Sequence, residues 1–141
     1  PIDPHSGALS IEITSRANYW SIPAQDITGV IENGATYDVS FWVWLWSTQQ
    51  ITPQIVINST GGGWQTFDPT STSCSGGTWR EATSTITPTW SGDLLHASLR
   101  VATQTSQEFW IDDVELIKQA TAGGAPPMQI SPGSWRREVS Q

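Results

Sequence analysis

Residues 36–47 read TYDVSFWVWLWS and place tryptophan at three alternate positions, Trp42, Trp44 and Trp46. Successive side chains of a β-strand point to opposite faces. Tyr37, Val39, Phe41, Val43 and Leu45 therefore share one face, and Asp38, Ser40, Trp42, Trp44 and Trp46 share the other. The first set is a complete core face, which leaves three indoles in a row on the opposite surface, about 6.6 Å apart per step. A sugar ring presents a C–H face that stacks on an indole, while its hydroxyls need amides, carboxylates or guanidinium groups at the rim. Asp38, Glu108, Arg100, His96 and Gln25 are the rim candidates. The competing reading is that a second sheet, a loop or a partner subunit covers this face. Trp64, Trp79 and Trp90 fall at strand starts or in loops and read as core plugs, whereas Trp20, beside Tyr19, stands between core edge and site edge.

The residue types that run catalysis are sparse and scattered. His5 and His96 are far apart, and neither lies in a metal-ligand or nucleophile motif. Cys74 sits in a Ser/Gly loop with no basic neighbour to activate it. Asp112 and Asp113 are adjacent, and adjacent residues of a regular strand face apart, so they cannot share one glycosidic bond unless a bulge turns them together. No catalytic residue is assigned, and the chain does not read as an enzyme.

Composition narrows the partners. Among 141 residues only 13% are charged, while 17 Ser and 17 Thr make up about a quarter of the chain. The net charge is −7 and Lys118 is the only lysine, so no basic stripe exists to meet nucleic acid or an anionic membrane surface. No apolar run is long enough to span a bilayer. One cysteine excludes an internal disulfide. The sequence starts at Pro1 without Met or a signal peptide, as expected of a mature segment or a piece of a longer protein.

The elements that must position these groups are short strands. Residues 7–14 (GALSIEIT) alternate, with Leu9, Ile11 and Ile13 on one face. Further strands are expected at 24–30, at 36–47 after the Asn33-Gly34 turn signal, and at 53–58, 63–67, 78–87, 94–102 and 107–117. Segments 59–63 and 68–77 have loop composition. No stretch carries a sustained helical period. About eight strands at this spacing imply an all-β sandwich or barrel. Residues 119–127 (QATAGGAPP) read as a linker, and 128–141 as an added strand or the start of a neighbouring unit.

One resemblance adds to this. The stretch IEITSRANYWSIPAQDITGVIENGATYDVSFWV, residues 11–43, resembles carbohydrate-binding modules of the family 4, 9 and 22 type, which show a strand ending in Arg, a Trp, a "PAQDIT"-like strand and a "TYxVSxWV" strand. Residues 108–117 (EFWIDDVELI) are similar to the "FYIDDVxL" last strand of the same modules, and residues 78–82 to their "xWxxvs" strand. The resemblance covers about residues 6–118, and residues 1–118 are taken as the module. It implies a jelly roll of two antiparallel sheets that binds xylan or β-glucan chains in an aromatic-lined cleft on the concave sheet. Such modules are non-catalytic and are usually attached to secreted glycoside hydrolases. Carried over by position, Arg16 matches a cleft arginine, Trp42 or Trp44 the stacking aromatic, Trp110 a second aromatic and Glu108 a nearby carboxylate. Trp20 and Trp46 complete the expected ligand-binding set. The resemblance requires no cofactor for binding, and implies a structural calcium that Asp112 would help hold. The family's opening strand, which supplies another calcium ligand, has no counterpart ahead of Pro1.

The leading expectation is thus a polysaccharide-binding module. The alternative is a structural or adhesive jelly roll of a surface, filament or phage tail assembly, with the tryptophan face buried by a partner chain and Trp135, Arg136 and Arg137 in the contact. An enzyme would need the two aspartates at glycosidase separation.

Overall fold

A computed structural model describes residues 2–120 and, for the backbone alone, residues 136–139. The chain forms ten strands: β1 (Ile11–Ile13), β2 (Ser21–Asp26), β3 (Tyr37–Leu45), β4 (Gln49–Ser59), β5 (Gly63–Phe67), β6 (Thr72–Cys74), β7 (Trp79–Ile86), β8 (Leu94–Thr103), β9 (Phe109–Lys118) and β10 (Arg136–Val139). They pair antiparallel into a four-stranded sheet of order β1-β9-β3-β7 and a six-stranded sheet, β10-β2-β8-β4-β5, with β6 also on β4. The fold is the all-β sandwich that the spacing of strand and turn signals predicts.

Alternation along β3 builds half of the core. Tyr37, Val39, Phe41, Val43 and Leu45 are all buried, and they pack with Phe109, Ile111, Val114 and Leu116 of β9. From the other sheet come Ile51, Ile55 and Ile57 of β4 and Ala97, Leu99 and Val101 of β8. Burying these aliphatic and aromatic side chains from both inner faces is what holds the sheets together, at about 1.5–3 kcal/mol for each large side chain. Before β3, Gly34 takes φ 76° in the expected turn, a conformation open to glycine at no steric cost.

The edges differ from expectation. The strand expected over residues 7–14 shortens to β1, and Leu9 is 84% exposed. Residues before it leave the sheet edge and lie across the outer face of the four-stranded sheet, held there by side-chain bonds described below. β6 falls inside residues 68–77, a segment that reads as loop, because three residues against one partner strand carry no period of their own. Of the expected linker at 119–127, residues 121–127 lie outside the described residues, as does Trp135. Arg136–Val139 pairs with Ser21–Ala24 of β2.

Candidate functional site

Register places one residue of each strand side by side on the outer face of the four-stranded sheet. Glu12 of β1 stands opposite Trp110 of β9, Trp110 opposite Trp44 of β3, and Trp44 opposite Trp79 of β7. Four neighbouring strands about 4.8 Å apart make this row roughly 14 Å long, at right angles to the strands. The next row along β3 holds Asp112, Trp42 and Glu81, and the one after it Glu115, Ser40 and Thr83. Asp38, Ser40, Thr83, Thr85, Glu115 and Ile117 line an open hollow of about 450 Å³ at that end. The face thus runs from aromatic to polar.

At the aromatic end three indoles brace one another. Ring centroids of Trp44 and Trp46 lie 4.7 Å apart, Trp44 and Trp110 5.4 Å, and Trp46 and Trp110 5.7 Å, with interplanar angles of 75–89°. Edge-to-face contacts of this kind are favourable and fix ring orientation. Trp110 is 6% exposed and serves as backing, whereas Trp46 is 61% exposed and offers its surface to solvent. The core alternation places Trp44 and Trp46 outward as the sequence predicts.

Trp42 is engaged differently. The His5 imidazole stacks on it with centroids 3.6 Å apart and planes 13° from parallel. His5 Nδ1 also lies 2.7 Å from Asp113 Oδ2, and because an ionised carboxylate only accepts, Nδ1 carries the proton of that bond. Ser6 donates its backbone N–H to Asp112 Oδ2 (3.1 Å) and its hydroxyl to Asp113 Oδ1, and the Trp79 Nε1–H donates to the Asp3 carbonyl (2.9 Å). Ser6 reaches both aspartates because β9 carries a bulge opposite Phe41, with Asp113 at φ 46°. The bulge supplies the geometry that regular alternation forbids, yet these carboxylates hold the N-terminal segment. The Ser6 hydroxyl and the His5 bond keep the Asp113 carboxyl below the usual carboxylate range, the opposite of what a general acid needs.

Asp112, the expected calcium ligand, accepts the backbone N–H groups of Ser6 (3.1 Å) and Asp113 (2.8 Å).

Arg16 is corrected more sharply. It is 8% exposed, and each of its five N–H donors is used inside the protein. Nε donates to the Ser21 carbonyl, Nη1 to those of Thr105 and Gln107, and Nη2 to the Tyr19 carbonyl and the Thr103 hydroxyl, all at 2.6–2.9 Å. The guanidinium also lies 5.0 Å above the Phe109 ring. It ties the β1–β2 and β8–β9 connections together and has no donor left for a sugar. Trp20 is half exposed in the β1–β2 connection, edge-on to Tyr19 at 4.6 Å. Glu108 is exposed just before β9, whose pairing with β3 ends at Leu45 opposite Phe109.

Of the rim candidates, Asp38 and Glu108 lie on this face. Arg100 and His96 belong to β8 in the other sheet, and Gln25 of β2 is buried opposite Leu99. Two supposed core plugs also move. Trp64 is 63% exposed beside His96 on the other sheet, and Trp79 joins the aromatic row. Trp90 does pack against the core. Glu12 and the N-terminal segment are the parts of the face that sequence reasoning missed. The even spacing of Glu12 from Ile11 and Ile13 held its outward direction, but not its neighbour.

Comparison with known proteins follows the same line. Residues 2–108, well over half of the chain, match the model of the family described as Carbohydrate binding domain, of the family 4 and 9 type. No curated protein matches the chain. Among solved structures, the CBM22-2 xylan-binding domain of Paenibacillus barcinonensis Xyn10C superposes with a TM-score of 0.70 at 20% identity, covering 82% of this chain and 81% of that one. The CBM22-1 xylan-binding domain of the same enzyme gives 0.72 at 14% identity, covering 84% and 77%. The CBM22-1–GH10 portion of Clostridium thermocellum endo-1,4-β-D-xylanase 10B, complexed with xylohexaose, gives 0.72 at 13% identity, covering 86% of this chain and 24% of that one. At these identities the likeness establishes the fold, a jelly-roll β-sandwich.

Proposed function

Because the chain belongs to the carbohydrate binding domain family, whose members are non-catalytic, we propose that it binds xylan-class polysaccharide chains across the outer face of the four-stranded sheet. The observation that carries this is the braced group of Trp44, Trp46 and Trp110 at the head of a row that crosses all four strands. Sugar rings would stack on Trp46 and Trp44, with Trp110 holding both at fixed angles. Glu108 and Glu12, at either side of the aromatic end, would accept hydrogen bonds from sugar hydroxyls. The sheet holds this surface in place before ligand arrives, so little ordering is lost on binding. Each stacked ring contributes about 1 kcal/mol by analogy with aromatic pairs, which sets affinity at about micromolar or weaker.

That the structural neighbours include xylan-binding domains supports xylan over β-glucan as the first ligand to try, and the neighbour joined to a GH10 module supports a role as an accessory to a secreted glycoside hydrolase. The test is tryptophan fluorescence titrated with soluble xylan, mixed-linkage β-glucan and cellohexaose, on wild type and on Trp44→Ala and Trp46→Ala. A saturable change with xylan that each substitution weakens about fivefold or more is expected. No response to any glycan would overturn the proposal and favour the adhesive reading.

A further inference from the structure

His5 occupies Trp42 as a ligand ring would, parallel and in van der Waals contact. It does so from a segment fixed at three further points: Ser6 on Asp112 and Asp113, His5 on Asp113, and the Asp3 carbonyl on Trp79. These contacts run from Asp112 and Asp113 on β9 over Trp42 on β3, in the row directly below the aromatic row, and end on Trp79 of β7, the last member of the aromatic row, whose ring also meets His5 edge-on at 5.9 Å.

Resting on the polysaccharide reading above, we propose that residues 3–6 are a built-in side wall of the groove and that His5 is its specificity-determining residue. With His5 in place the Trp42 plate is taken, and a chain on Trp44 and Trp46 cannot continue along β3 toward the polar hollow at Asp38 and Ser40. It must cross the strands from Glu12 over Trp110 and Trp44, to the point where the segment meets Trp79. The site therefore accepts a short stretch of one chain lying across the sheet. Removing the imidazole opens a second plate about 6.6 Å from Trp44 along the strand, and with it a longer or branched footprint. The bulge at Asp113 belongs to this device, since it turns two consecutive carboxylates to one side to anchor the wall.

Two measurements on His5→Ala, Ser6→Ala and the double variant His5→Ala/Trp42→Ala test the wall, with circular dichroism confirming that each is folded. Acrylamide quenching of the unliganded proteins should rise in His5→Ala, rise less in Ser6→Ala, and lose that rise in the double variant. Calorimetric titration with xylo-oligosaccharides of three to six units should show wild-type affinity levelling off at shorter length than in His5→Ala. The longest ligand should gain about threefold or more in His5→Ala, a gain absent from the double variant. Unchanged quenching or unchanged length dependence in His5→Ala would overturn the wall while leaving the binding function intact. Weaker binding in His5→Ala would overturn it too, by showing that the imidazole itself touches sugar. No binding by wild type or any variant would overturn the polysaccharide reading, and the wall's role in specificity with it.

Discussion

Arg16 holds a buried positive charge entirely with carbonyl and hydroxyl oxygens, so its removal would leave four carbonyls and Thr103 without their donor. Arg16→Ala is expected to cost about 3 kcal/mol or more of stability in urea unfolding. Arg16→Lys should recover little, because three donors on a point charge cannot reproduce the five-donor fork. A binding loss in either variant without a stability loss would return Arg16 to the ligand. Cys74 makes a second prediction at this scale. Burial pushes its thiol up to about 11, so it should stay unreactive to a thiol-specific disulfide reagent at pH 8 until the protein unfolds. The raised value also means that its contribution to stability is complete below the ordinary thiol range and is lost as pH rises toward 11. Asp113 runs the other way. Its carboxyl is held low by Ser6 and then His5, so its contribution is complete above about 3.9 and fades only as pH falls through the lower folded value. Carbon NMR should show Asp113 titrating below the ordinary carboxylate range in wild type and moving up in Ser6→Ala. The residue types of Arg16, Asp112 and Asp113 were plain in the sequence, but a guanidinium looks the same whether it awaits a ligand or ties two loops.

The strand β9 shows what an element adds to its residues. Read as a regular strand, EFWIDDVELI sends Asp112 and Asp113 to opposite faces. The bulge opposite Phe41 sends both to the outer face, and Asp113 accepts φ 46° because a short polar side chain tolerates that region better than most. A β-branched residue does not. Asp113→Val should therefore be less stable than Asp113→Gly by about 1–2 kcal/mol in denaturant unfolding, a gap that loss of the carboxylate alone, common to both, cannot produce. Equal stabilities would mean that the backbone there relaxes freely. Strand β3 is the contrary case: its parity was legible in full, because nine residues with five buried at alternate positions leave one register. β1 was legible only in part, since Leu9 fits the alternation but the bonds to Asp112 and Asp113 draw the chain before it over the face instead of along the edge.

For the molecule as a whole, a neutral glycan on an acidic domain should bind with affinity that changes by less than about twofold over a tenfold change in salt, since no phosphate contacts release counterions. Calorimetry at two salt concentrations checks this, and a steep fall would point to a ligand held by charge attraction instead of by stacking. Phe41→Ala, which empties a fully buried site between the sheets, should cost about 3–5 kcal/mol and lower the melting temperature, with ligand stacking unchanged in whatever fraction stays folded. The sequence by itself determined the all-β sandwich, the core face of β3 and the outward direction of Trp44 and Trp46. Each of these follows from local alternation and turn spacing, which do not depend on which strand lies beside which. Only the tertiary structure decided the rest. Strands β1, β7 and β9 reach β3 from far away in the chain, so the row from Glu12 to Trp79 exists only once the sheet is paired. Likewise, His5 meets Asp113 across 108 positions of sequence, a separation over which no local pattern carries information, and that meeting determines whether Trp42 faces solvent or a ring of its own chain.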